Sequence, residues 1–267
     1  MIRKPVVAGQ FYTASPSLLE KEVSGLAGQK KEKIDAIGVV SPHAGYVYSG
    51  GVAGEVLSSI KTKPVYIILG PNHTGYGKPF GLDSERAWKT PLGDVKIDDE
   101  LAGAILKNSK YIKTDRLCHD HEHSVEVQLP FLQFLNKNFT FIPIVISSAD
   151  AQTYKEIGCG LAKAIKDAKK DVTIIASSDM THYEPHESAK KKDMLAIEKI
   201  LSLDLDGFLD TIEKYDISMC GFAPTAIMIQ ASIELGAKKA KLIKYNTSGD
   251  TSGDYSQVVG YAGVVIY

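Results

Sequence analysis

Cysteine is scarce in this chain. Cys118, Cys159 and Cys220 are three in 267 residues, an odd and widely spaced set. That excludes a disulfide framework and points to a reducing compartment. Charge of one sign is lacking too. The 31 Lys and Arg nearly balance 32 Asp and Glu, leaving a net charge of −1. No broad field is available to collect nucleic acid or an anionic membrane, so neither is expected as a partner. No run approaches the roughly 18 uninterrupted apolar residues of a membrane span. The opening segment MIRKPVVAGQFY has no apolar stretch of signal-peptide type, and a cytoplasmic protein is expected. The phosphate-cradling patterns GxGxxG and GxxxxGK[ST] are absent, as are HExxH and GxSxG. A nucleotide cofactor, a zincin helix and a hydrolase elbow are therefore not expected.

What is present is an alternation of short apolar runs and longer helical patterns. Strands are expected at Ile34–Val40, Val65–Leu69, Val95–Ile97, Phe139–Ile146, Val172–Ala176, Leu242–Tyr245 and Val258–Tyr267. Helices are expected at Gly54–Ile60, Asp99–Lys107, Val125–Leu135, Ala151–Lys169, Glu187–Leu201, Leu205–Lys214 and Phe222–Leu235. Pro130 should kink the third of these or mark its boundary. Residues Thr247–Ser256 (TSGDTSGDYS) read as a loop. There is no fixed-period repeat and no linker, so residues 1–267 are expected to form one domain. Its class is α/β, with a largely parallel central sheet, mixed at its edges and flanked by helices on both faces.

The polar clusters share an address. SPHAG follows Val39-Val40, GPNHTG follows VYIIL, and SSDMTH follows VTIIA. Open α/β sheets bind ligands outside the carboxyl ends of their strands. His43, His73, Asp179 and His182 therefore converge on one candidate pocket. Cys220, in SMCGFAP, stands at the start of an expected helix, where thiolate is favoured for metal binding or nucleophilic attack. The other reading of Cys220 is a buried inert thiol. Cys159, on an amphipathic helix, is read as core. CHDHEHSVEVQ places His119, His121 and His123 two apart, either as a metal cluster or as a polar loop entering a helix. Glu126, three after His123, is a candidate hydrogen-bond partner for its ring. His186 reads as a surface or helix-start residue. The glycines of SGGVAGE suit either close packing or an anion.

In order along the chain, VAGQFY, SPHAGYVYSG, ILGPNH, TPLGDV, EHSVEVQLP, SSDMTHY and CGFAP closely resemble the MEMO family, whose microbial members are also called AmmeMemoRadiSam system protein B. The resemblance covers nearly the whole chain and implies a fold similar to the catalytic subunit of class III extradiol dioxygenases. It implies that His43, His73 and Cys220 hold a metal, with Cys220 in place of the dioxygenase carboxylate. It assigns Asp179, His182 and His123 to the pocket; in a metal-dependent redox enzyme these are the expected catalytic residues, His182, oriented by Asp179, moving protons. Iron or copper is the expected metal, and zinc suits the same donors. The implied activity is that of a non-haem, metal-dependent oxidoreductase of dioxygenase type. The alternatives are a module that binds a small molecule, a peptide or a protein in the same pocket, and a metal chaperone. The system name implies radical-SAM and AMMECR-type partner proteins.

Overall fold

A computed structural model describes residues 2–28, 32–84 and 87–267. In chain order the elements are β1 (Ile2–Arg3), α1 (Pro16–Leu26), β2 (Gly38–Ser41), α2 (Tyr46–Ser58), β3 (Val65–Pro71), β4 (Phe80–Leu82), β5 (Ala87–Thr90), β6 (Gly93–Ile97), α3 (Asp99–Asn108), β7 (Lys113–Thr114), α4 (Leu129–Leu135), β8 (Thr140–Ile146), α5 (Ala151–Ala168), β9 (Val172–Ser177), β10 (His182–Glu184), α6 (His186–Leu201), α7 (Leu205–Lys214), α8 (Phe222–Glu234), β11 (Ala240–Thr247), α9 (Gly249–Ser252) and β12 (Val258–Ile266). Single 3₁₀ turns occupy Leu117–His119 and Glu126–Gln128.

The strands form one sheet, and its centre runs β8-β3-β9-β2 with all neighbours parallel. β3 and β9 are buried along their whole length, which is why they read as continuous apolar runs rather than alternating ones. β12 closes one side antiparallel to β2, and β11 and β10 pair antiparallel to β12. At the other side β6 adds in parallel to β8, and β4 pairs with β8 antiparallel. The expected parallel centre with mixed edges is the observed arrangement.

Alternate side chains of the sheet feed two cores. Ile67 and Leu69 of β3 face helices α3, α5, α6, α7 and α8. Tyr66 and Ile68 face α1, α2 and α4. Helices thus cover both faces.

Several expected boundaries move. The strand expected at Ile34–Val40 is formed only over Gly38–Ser41, with Ile34 bridging singly to Ile60. The helix expected at Gly54–Ile60 begins earlier, at Tyr46, and runs through Gly50, Gly51 and Gly54. Those glycines look like breakers, but Gly54 lies against the Leu26 carbonyl and Gly50 against the Leu26 side chain, where a Cβ would collide. Close packing of α1 on α2, rather than an anion, accounts for Gly50 and Gly54. The segment Val125–Leu135 divides into a 3₁₀ turn and α4, with Pro130 in the first turn of α4, where its missing N–H costs nothing. The loop expected at Thr247–Ser256 contains the short helix α9. Cys159, expected in the core, is exposed on α5 beside Gln230 and Glu234. The buried stripe of α5 carries Ile157, Leu161 and Ile165, and position 159 falls off it.

Candidate metal centre

Register puts the site together. Ser41 at the end of β2 pairs with Ser177 at the end of β9, and β3 ends alongside at Pro71. Two residues beyond each end lie His43, Asp179 and His73. Asp179 then ties two of the exits: its Oδ1 accepts from the backbone N–H of His43 at 2.8 Å and of Ala44 at 3.3 Å. Its own N–H points at Cys220 Sγ, 3.3 Å away.

Three imidazoles meet at these exits. The rings of His43 and His73 are 5.1 Å apart edge to face, and those of His73 and His123 are stacked at 4.9 Å. His43 and His123 also meet edge to face, at 5.6 Å. One nitrogen from each of the three lies within 4.8 Å of the others, close enough for a single ion to span them. His43 is buried, whereas the side chains of His73 and His123 are 33% and 22% exposed. The cluster is therefore open on one side. Phe11 packs the edge of His123 at 4.8 Å.

Hydrogen bonds settle which nitrogens are free. His73 Nδ1 lies 2.9 Å from Glu122 Oε1, and a carboxylate can only accept, so Nδ1 carries the proton. His43 Nδ1 lies 3.0 Å from Ser177 Oγ. That hydroxyl already donates to the Ser124 carbonyl at 2.6 Å and accepts from Gln128 Nε2 at 2.8 Å, so it accepts from His43 as well. In their neutral forms both rings keep their Nε2 lone pairs. Cys220 Sγ sits 3.2 Å from His43 Nε2, where its S–H can donate.

The charges follow the packing. Burial holds His43 well below its ordinary pKa, with the charges of His73 and His123 adding to the effect. Burial alone would depress His73, but its hydrogen bond to Glu122 and the charge of that carboxylate outweigh it and leave the ring above its ordinary value. Burial lowers His123, which Glu122 opposes. For Glu122 burial is overcome by His73 and the surrounding donors, and its pKa falls to about 2. Burial raises Asp179 to about 6.

Three expectations need correction. Cys220 does precede α8, whose cap is Gly221, but burial first and the charge of Asp179 second push its thiol up. The helix terminus does not prevail, and without metal the group is a thiol. Asp179 does not orient His182. The His182 Nδ1 donates to the Ser218 carbonyl at 2.8 Å and its backbone N–H to Ser218 Oγ at 2.8 Å, again leaving Nε2 free. His182 stands beside the trio, near enough for its charge to act on His43. Glu126 is not the partner of His123. It accepts from Arg3, from the backbone of Val6 and Val7, and from Tyr12. The carboxylate next to the rings is Glu122, which sequence reasoning passed over in favour of Glu126, three residues after His123; Glu122 and His123 lie in irregular backbone, and Ser124 and Val125 form a turn before the 3₁₀ segment. The ring trio sets His123 beside His43 and His73, and Cys220 meets it through His43 Nε2. His119 is buried away from the trio with Nε2 3.0 Å from the Gly81 carbonyl, His121 lies beside Tyr76, and His186 opens α6.

The donor set fits a borderline or soft cation. Imidazole nitrogen and sulfur suit iron, copper or zinc and are poor ligands for magnesium or calcium. The pairing of His73 with a carboxylate is the usual support of a ligating histidine.

Comparison with known proteins agrees with the motif order. The family model described as "Memo-like protein" matches residues 3–265. The MEMO1 family protein MK0963 of Methanopyrus kandleri is 45% identical over 279 residues, covering 99% of each chain. PAE0818 of Pyrobaculum aerophilum is 42% identical, covering all of this chain and 99% of its own. A MEMO1 family protein of Aquifex aeolicus is 43% identical over 99% of this chain and 98% of its own. Among solved structures, the uncharacterized protein JW3007 from Escherichia coli K12 shares the fold with a TM-score of 0.55 at 11% identity. The match covers 85% of this chain and 98% of that one.

Proposed function

The chain belongs to the Memo family, and on that premise we propose that it is a metal-dependent redox enzyme whose ion is held by His43, His73 and Cys220, with His123 beside them. The observation that carries this reading is the tautomer pair: two adjacent histidines, each with Nδ1 committed to an acceptor, present free Nε2 atoms beside a thiol. Metal binding releases the thiol proton, because a ligating sulfur is deprotonated. The bound ion supplies Lewis acidity and, as iron or copper, one-electron chemistry. His182, its Nδ1 held by Ser218, offers Nε2 as a proton acceptor at the rim. Asp179 holds the His43 turn in place and charges with difficulty, so it serves to position rather than to carry protons.

A second reading is favoured by the surface around Asp179. Tyr48 on α2 and Tyr183 on β10, three and four residues after Gly45 and Asp179, are 44% and 73% exposed. Tyr183 also holds a left-handed backbone at φ 57°, a conformation that costs about 1 kcal/mol or more in a non-glycine residue. These rings could grip a peptide or small molecule without turnover. The radical-SAM and AMMECR-type proteins of the system name are the partners this reading would test first.

Metal analysis of protein purified anaerobically separates the two. The redox reading expects near-stoichiometric iron or copper in the wild type and loss of it in Cys220→Ser and His43→Ala. Equal metal content in all three, or preference for Mg²⁺, would overturn the ligand assignment.

A further inference from the structure

The structure assigns a positioning role to Glu122: it fixes the proton of His73 on Nδ1, so that the ring presents its Nε2 lone pair, and not an N–H, to His43 and His123. The carboxylate is 1% exposed and accepts from four donors on three residues. Oε2 accepts from the His73 backbone N–H at 2.7 Å, while Oε1 accepts from His73 Nδ1 at 2.9 Å. Holding one residue by both its main chain and its ring fixes the ring's rotation as well as its tautomer. Oε1 also accepts from the backbone N–H of His123 at 2.9 Å and of Ser124 at 2.8 Å.

Those last two bonds extend the reach of Glu122 beyond His73. The Ser124 residue that donates to Glu122 through its N–H accepts the Ser177 proton on its carbonyl, and Ser177 in turn accepts from His43 Nδ1. One chain of hydrogen bonds therefore runs from His73 Nδ1 through Glu122, Ser124 and Ser177 to His43 Nδ1. Every acceptor along it is committed, so neither histidine can switch tautomer without breaking a buried hydrogen bond. A neutral imidazole whose free nitrogen faces the wrong way binds no cation there. The Glu122 carboxylate is thus a condition of the ligand geometry although it touches neither Nε2. This inference uses the metal reading only for its consequence. The tautomer itself is a property of the metal-free protein.

The test is long-range ¹H–¹⁵N spectroscopy of histidine-labelled, metal-free protein at alkaline pH, where the rings are neutral. It is paired with titration by Zn(II), which is redox-silent. The wild type should show His73 protonated at Nδ1. Glu122→Gln puts an amide where only acceptors fit, and should give a mixed or reversed tautomer with Zn(II) affinity reduced roughly 10–100-fold. Glu122→Asp, which keeps the charge on a shorter arm, should recover part of both. A purely structural role would lower stability while leaving the tautomer and the Zn(II) affinity in place, and that result in Glu122→Gln would overturn the proposal. So would a wild-type His73 protonated at Nε2, which needs no variant to fold. If the wild type binds neither Zn(II) nor Fe(II), the metal reading fails, and the His73 tautomer still decides the role of Glu122.

Discussion

At Cys220 two effects compete. The start of α8 draws negative charge, while burial and the neighbouring Asp179 repel it, and the second pair wins. Cys159 lies in the opposite situation, exposed on α5, with its thiol raised by partial burial and by Glu234 but reachable from solvent. Trace iodoacetamide on native metal-free protein should therefore label Cys159 before Cys220, with peptide mapping as the readout, and buried Cys118 last. Cys159→Ser should change stability by no more than about 0.5 kcal/mol, as exposed positions do. The titrating groups of the site also make a pH prediction. Unfolded His43 takes up a proton below its ordinary 6.5 and the buried ring does not, so stability falls as pH drops through that value. Glu122 contributes stability that is complete above 4.5 and is lost as pH falls toward about 2. Asp179 acts oppositely, favouring the fold at low pH and losing that contribution between 3.8 and about 6. Urea midpoints of metal-free wild type and Glu122→Gln should differ most above 4.5, and the gap should close as pH approaches 2. A gap that widens on acidification would contradict the ionised state of Glu122.

The element with most to lose from one substitution is the N-terminal segment. Arg3 bonds Glu126 at 2.7 Å, both side chains being at most 2% exposed, and its guanidinium lies 3.9 Å over the Trp88 ring. Glu126 then binds the backbone of Val6 and Val7 and the Tyr12 hydroxyl. This clasp sets Phe11, whose carbonyl accepts from Tyr46 N at the start of α2 and whose ring packs on His123. Arg3→Ala leaves a buried carboxylate without its cation, so a loss of about 3–5 kcal/mol is expected in urea unfolding. The same variant should expose residues 4–12 to limited proteolysis ahead of the sheet strands. Elements were legible in the sequence where length and period were strong. α5, α7, α8, β3 and β9 fall within a residue or two of expectation. The short strands β1, β4, β5, β7 and β10 were not foreseen, because two to four residues carry no readable period and pair only when the sheet brings partners to them. The early start of α2 was hidden by its glycines, of which Gly50 and Gly54 are set by the close approach of Leu26 in α1.

Across the whole molecule, a single sheet threads both cores, and no helix among the described residues is long and apolar enough to cross a membrane. Residues 1–267 should accordingly unfold as one domain. Trp88, the only tryptophan, is fully buried at the β5–β6 edge, while the helices lie on both faces. Its fluorescence and the far-ultraviolet circular dichroism therefore sample different regions, and their urea transitions should coincide. Separated midpoints would show that the edge carrying β1, β5 and β6 is an independent unit.

By itself the sequence determined the strand exits. An apolar run that must lie inside a parallel sheet ends at a definite residue, and SPH, GPNH and SSD each follow such a run, so His43, His73 and Asp179 were bound to share one end of the fold. The ordered motifs also determined the family. Only the tertiary structure decided how those residues divide the work. Spacing cannot say that Glu122 rather than Glu126 meets the histidines, because Glu122 and His123 lie in irregular backbone and Ser124–Val125 in a turn, where no period is readable. Nor can it say that Ser218, 36 residues away, rather than Asp179 holds His182. The protonation of Cys220 was beyond it for the same reason. A helix start is a local signal, but burial and the approach of Asp179 are long-range facts, and at that sulfur they outweigh it.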